Sequence, residues 1–135
     1  MTKAKQTAIE ILEREHIGVM VTNQDGRPVA KYMTFQNDGY DLYTLIPQET
    51  VAKMNINNYT HILLGYEGDD IFETFIEYEG QYNESENAEI AQKLQDIYPI
   101  TETGHFTLLR ISANRIRIMN KAGHNQEEII FNDTL

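Results

Sequence analysis

Lys31 is the residue whose placement most invites a chemical explanation. In RPVAKYMTF (27–35) it alternates with Val29, Met33 and Phe35, so a cation interrupts an otherwise apolar strand row. Such a lysine either guards an exposed strand edge against pairing or aims its ammonium at an anion, and both readings are open on the sequence. The stretch LYTLIPQETVAK (42–53) raises a similar question. It is a strand, a proline and the start of a helix, and it either only turns the chain or also holds something charged.

Other chemistries have weaker footing. Zero cysteines remove disulfides, thiolate catalysis and thiolate metal sites together. The four histidines, His16, His61, His105 and His124, lie far apart, and none pairs with an acid or another histidine at metal-ligand spacing. Asp69-Asp70 and Glu127-Glu128 are adjacent acids of the kind that usually form solvated faces. No phosphate-binding glycine loop and no Gly-x-Ser-x-Gly elbow is present. Eight tyrosines remain, amphipathic rings suited to barrel seams, a dimer interface or a pocket for a flat ligand.

The net charge of −10 repels phosphate backbones, so nucleic acid is not an expected partner. It also makes the few cations informative, notably Lys31, Lys53, Arg110, Arg115 and Arg117, because a small anion would have to be held locally against an unfavourable mean field. The 135 residues suit one domain, 1–135, with a core over about 5–120 and a polar, loose tail over 121–135. No apolar run approaches the roughly 20 residues that span a bilayer, and MTKAKQTAIE lacks a secretory signal's apolar centre. A soluble, cytoplasmic protein without membrane association is expected.

These residues need elements to hold them. Ala4, Ala8, Ile11 and Leu12 mark an amphipathic helix over 3–15. IGVMVT (17–22), an Asp-Gly hairpin turn, RPVAKYMTF (27–35), a second Asp-Gly and YDLYTLI (40–46) predict three antiparallel strands in a meander. Helical spacing over 48–58 precedes THILLGY (60–66) and a long strand, IFETFIEYEGQYN (71–83). A helix over 85–99 follows, with Ser85 as N-cap and Ala88, Ala91, Leu94 and Ile97 or Tyr98 on its apolar face. HFTLLRIS (105–112) and RIRIMN (115–120), parted by Ala113 and Asn114, predict a closing hairpin. The class is α+β, a barrel-like antiparallel sheet of six or seven strands with flanking helices.

The order of these segments resembles the pyridoxamine 5'-phosphate oxidase-like FMN-binding split barrels, most of all their general stress protein 26 branch. The resemblance spans about residues 5–120. Its best local signals are Gly26-Arg27-Pro28 leading to Lys31-Tyr32-Met33, the Leu42-Tyr43-Thr44 strand end, Leu64-Gly65-Tyr66-Glu67-Gly68, and Arg117-Ile118-Met119-Asn120.

The resemblance implies a six- to seven-stranded antiparallel split β-barrel, a homodimer, and FMN in a groove between subunits. Lys31, Tyr32 and Met33 would run beside the flavin, with Tyr43, Thr44 and Leu45 at the next strand end. The loop over 47–53, with Thr50 and Lys53, would close on the phosphate, helped by helix N-terminal N–H groups. This chain departs from the family there, because the usual adjacent basic pair is missing. The implied activity is a flavin-dependent oxidoreductase passing electrons between a reduced nicotinamide and an acceptor, with no residue singled out as catalytic. The alternative is a non-enzymatic binding or stress module in which FMN binding is weakened or lost. Pyridoxamine phosphate oxidation itself is disfavoured by the short chain, and haem binding by the absence of a histidine-rich tail.

Overall fold

The computed structural model describes residues 2–54, 58–66, 73–97, 105–120, 122 and 127–131. Asp69-Asp70, the start of the strand expected over 71–83, Tyr98 and the last residues of the helix expected over 85–99 lie outside those residues. Asp25 and Gly26 both take positive φ, 52° and 80°, the backbone of a two-residue type I′ turn. The turn folds β1 (Ile17–Gln24) onto β2 (Arg27–Thr34), with Gln24 opposite Arg27 and Ile17 opposite Thr34.

The expected hairpin is therefore present, but the three-strand meander is not. Phe35 is fully buried and its N–H donates to the His16 carbonyl at 2.6 Å, so the chain leaves the line of β2 there. It continues as the short β3 (Gln36–Asp38), turns at Gly39, and returns as β4 (Asp41–Pro47), which pairs with β3 and not with β2. The other partner of β4 is β7 (Phe106–Asn120). With β5 (Tyr59–Leu64), β6 (Thr74–Ser85) and β8 (Glu127–Ile130), the antiparallel sheet runs β2-β1-β5-β6-β7-β4-β3, and β8 pairs with β7 off that path.

Two expectations near the C-terminus are corrected. The segments 105–112 and 115–120 are not a hairpin but one continuous strand, β7. Glu79 pairs with Arg115 and Gly80 with Ala113, so Asn114 is an extra residue, a bulge. A one-residue insertion switches which parity faces inward. Leu109 and Ile111 are buried before it, and Ile116 and Ile118 after it. The 121–135 tail is not wholly loose either, because Glu127–Ile130 pair with Arg115–Ile118 and Ile129 is buried.

The helices plug and flank this sheet. In α1 (Lys3–Arg14), capped by the Thr2 side chain, Ala8, Ile11 and Leu12 enter the core formed by the inner face of the sheet. α3 (Ala88–Ile97) lies on the outer face, where Ile90 and Leu94 meet Tyr43 and Leu108. Its cap is Asn87, whose Oδ1 accepts from the Ile90 N–H at 3.2 Å, and not Ser85, which ends β6. α2 (Gln48–Val51) is a single turn, much shorter than the helical spacing over 48–58 suggested, and the chain bridges to β1 again at Met54.

In the core, the Tyr78 hydroxyl lies 2.6 Å from the Tyr40 carbonyl and 3.0 Å from that of Ile111. Burial, reinforced by the charge of Asp41 and opposed by Arg110, pushes its phenol far above the ordinary range. At the seam, the Thr44 hydroxyl donates to the Thr34 carbonyl at 2.8 Å and ties β4 to the end of β2. The sheet thus curls until β4, next to its last strand, meets the C-terminal end of β2 through Thr44 and Thr34, and β2 forms the edge of an incomplete barrel. Among the described residues no helix is long and apolar enough to cross a membrane.

Candidate functional site

The register of the first hairpin decides which side chains share a face. Gln24, Thr22, Met20 and Gly18 of β1 stand opposite Arg27, Val29, Lys31 and Met33 of β2. On β1 this row faces inward, since Gly18, Met20 and Thr22 are buried. Lys31 therefore belongs to the inner face, yet it is exposed, because among the described residues no strand pairs with β2 on its far side. Met20, Thr22, Gln24, Val29, Lys31, Met33 and Ile46 line one opening between β2 and β4. Its walls are mostly apolar, with one hydroxyl, one amide and one ammonium.

The structure divides the eight sequence-derived site residues among several environments. Lys31 and Met33 line the opening together. Tyr32 is on the reverse face of β2 and is 71% exposed. Tyr43 and Leu45 point away from the opening into the cluster under α3. Thr44 faces inward but is 1% exposed, and its hydroxyl is committed to Thr34. Thr50 is buried in α2, and Lys53 is exposed just beyond it.

The loop's backbone is also partly committed. The Gln48 N–H, at the start of α2, donates to the His105 carbonyl at 2.9 Å. The Lys53 N–H donates to the Thr50 carbonyl at 3.0 Å, and the Lys53 carbonyl accepts from Asp25 N–H at 3.0 Å. That last bond, with the bridge between Gln24 and Met54, fastens the α2 turn beside the β1–β2 turn.

The cations separate into two sets. Arg110 holds Asp41 at 2.7 Å, and this hydrogen-bonded pairing raises the guanidinium pKa further. Arg115 bridges Glu79 and Glu128 at 3.5 and 3.6 Å. Arg117 bridges Glu77 and Glu128 at 3.8 and 3.4 Å. Lys31 and Lys53 make no ion pair among the described residues. The sequence reading did not include Met20, Thr22, Gln24 and Ile46. Alternation back from the Asp-Gly turn would have found the β1 residues, whereas Ile46 reaches the opening only through the curl of the sheet.

No family model matches the chain. It is 31% identical over 123 residues to general stress protein 26 of Bacillus subtilis (strain 168), across 86% of this chain and 88% of that protein. The chain belongs to the general stress protein 26 family. The solved general stress protein 26 of Bacillus anthracis str. Sterne superposes with a TM-score of 0.77 at 20% identity, covering 96% of this chain and all (100%) of that one. A Listeria innocua structure named as a candidate pyridoxamine 5'-phosphate oxidase gives 0.70 at 28% identity, over 87% and 97% of the two chains. The general stress protein 26 fold here is thus the split barrel of the pyridoxamine 5'-phosphate oxidase-like proteins. More distant neighbours include proteins named as FAD-binding, from Mesorhizobium loti and Mycobacterium smegmatis, and as haem-binding, from Mycobacterium smegmatis.

Proposed function

We propose that this general stress protein 26 family member binds FMN noncovalently in the opening between β2 and β4, with a second copy of the chain completing the groove. The observation that carries the reading is Lys31, an inward-facing lysine without an ion pair among the described residues, beside Met20, Met33 and Ile46. A flavin is a flat apolar ring with a polar edge and an anionic tail, and this donor set suits it. Val29, Met33, Met20 and Ile46 would lie against the ring, the Gln24 amide, whose Nε2 donates to the buried Thr22 hydroxyl at 3.1 Å, would offer its oxygen to the polar edge, and Lys31 would supply positive charge. Flavin-named neighbours of the same fold support the cofactor class.

When bound, FMN supplies hydride and single-electron transfer, while the protein orients it and tunes its surroundings. The activity class we infer is an FMN-dependent oxidoreductase between a reduced nicotinamide and an acceptor. Lys31 is the one ionisable side chain lining the opening among the described residues, and its role is to hold and polarise. The zero-cysteine composition suits the reducing cytoplasm.

The test is direct. The purified protein is examined for flavin absorbance, then stripped and titrated with FMN while flavin fluorescence is followed. Saturable binding at micromolar FMN is expected, and no binding at high micromolar FMN overturns the proposal.

A further inference from the structure

Among the described residues are four methionines, and they sit at different depths. Met20 and Met33 line the opening, and Met54 and Met119 do not. Met20 is 2% exposed and stands across the β1–β2 pair from Lys31, so its sulfur is sealed beneath the opening. Met33 is half-buried, with one flank against the core, and its cross-strand partner is Gly18, which has no side chain to lay over it. Met54 packs at the bridge to Gln24, and Met119 follows the core-facing Ile118 and so takes the other face of β7. Met33 is thus the one methionine among the described residues that is both half-open to solvent and part of the wall proposed for the flavin.

Resting on the flavin reading, we propose that Met33 is a peroxide-sensitive position whose oxidation to methionine sulfoxide lowers the affinity of the opening for flavin. The oxidant is hydrogen peroxide from solvent. The thioether sulfur attacks one peroxide oxygen, an S–O bond forms as the O–O bond breaks, and the departing oxygen leaves with both protons as water. Sulfur is oxidised by two electrons and the peroxide is reduced by two. A flexible, polarisable side chain that suits the face of a flat ring thereby becomes a polar, chiral one. Burying the new oxygen against the ring without a partner is unfavourable. Lys31 lies two residues away on the same face, about 7 Å along the strand, and its ammonium can meet that oxygen only by turning from the flavin. Either outcome weakens the site, and sulfoxide reduction reverses the change.

In the experiment the full chain, stripped of flavin, is treated with graded hydrogen peroxide. Peptide mass spectrometry reads the gain of one oxygen at each methionine, and fluorescence titration reads flavin affinity. Met33 is expected to oxidise well before Met20, and the oxidised chain to bind FMN about tenfold more weakly. Riboflavin, which lacks the phosphate, should lose affinity by a similar factor, because the wall against the ring is what changes. Saturating FMN should slow oxidation at Met33 and leave the rate at Met119 unaltered. Met33→Leu, whatever its starting affinity, should lose no more on the same treatment. Three results each overturn the proposal while the flavin reading stands: Met33 stays reduced while Met54 and Met119 oxidise, oxidised Met33 leaves FMN affinity unaltered, or treated Met33→Leu loses as much affinity as wild type. Untreated wild type that binds no FMN overturns the flavin reading, and this proposal with it.

Discussion

Thr44 shows how a residue of the right type can be assigned to two different tasks. By sequence it is a hydroxyl at a strand end beside a phosphate-suited loop; in the fold that hydroxyl donates to the Thr34 carbonyl and closes the seam. The nearly isosteric Thr44→Val removes the donor and strands a part-buried carbonyl, so a loss of about 1–3 kcal/mol is expected in urea unfolding. The ratio of FMN to riboflavin affinity should stay within about twofold of wild type. A selective loss of FMN would show instead that the hydroxyl reaches the phosphate. Lys31 shows the opposite case, since its alternation with Val29 and Met33 was readable in the sequence and the hairpin register puts the three on one face. What could not be read was the absence of an ion pair, which depends on strands far away in the chain.

At the scale of elements, the bulge in β7 is where local pattern and fold part company. The core-facing residues of β7 are odd-numbered before the bulge, Leu109 and Ile111, and even-numbered after it, Ile116 and Ile118, and a phase break beside Ala113-Asn114 reads as a turn until the long partner β6 is seen to run past it. Gly80 sits opposite Ala113 at that point, where a Cβ would collide with the Ser112 carbonyl oxygen and come within 3.0 Å of the Tyr78 ring. Gly80→Ala should lower the urea midpoint by the equivalent of about 1–3 kcal/mol with little change in slope. An unchanged midpoint would mean that the two strands are less closely apposed than described. The same reasoning explains the other differences. The I′ turn, α1 and α3 rest on local signals and were legible. The pairing of β4 with β7, the addition of β8 and the shortness of α2 are settled by tertiary contacts that no short window contains.

At the scale of the molecule, the outer surface of the sheet is divided. Over β6, β7 and β8 it carries a ladder of ion pairs, Glu77–Arg117–Glu128–Arg115–Glu79, joined on β5 by His61 at 3.4 Å from Glu79. Over β1, β2 and β5 it carries Ile17, Val19, Val21, Tyr32, Tyr59 and Leu63, on one face by register. Tyr32 is 71% exposed, and Ile17 and Tyr59 are 49% exposed. His61 lies between Tyr59 and Leu63 on the same face, so the strip is mostly apolar, with one imidazole at its border with the ion-pair ladder. That anatomy suits a protein interface, and β1 and β2, which carry most of the strip, also line the opening. A second copy docked there would also cover the outer edge of β2, with which no strand pairs among the described residues. Sedimentation of the wild type is therefore expected to give a dimer despite the charge of −10 on each chain. Tyr32→Glu should shift it to monomer and weaken FMN and riboflavin together, because the loss is of the groove and not of the phosphate contacts. A wild-type monomer would remove the second copy from the proposed site, and a dimer unaffected by Tyr32→Glu would put the interface on another face.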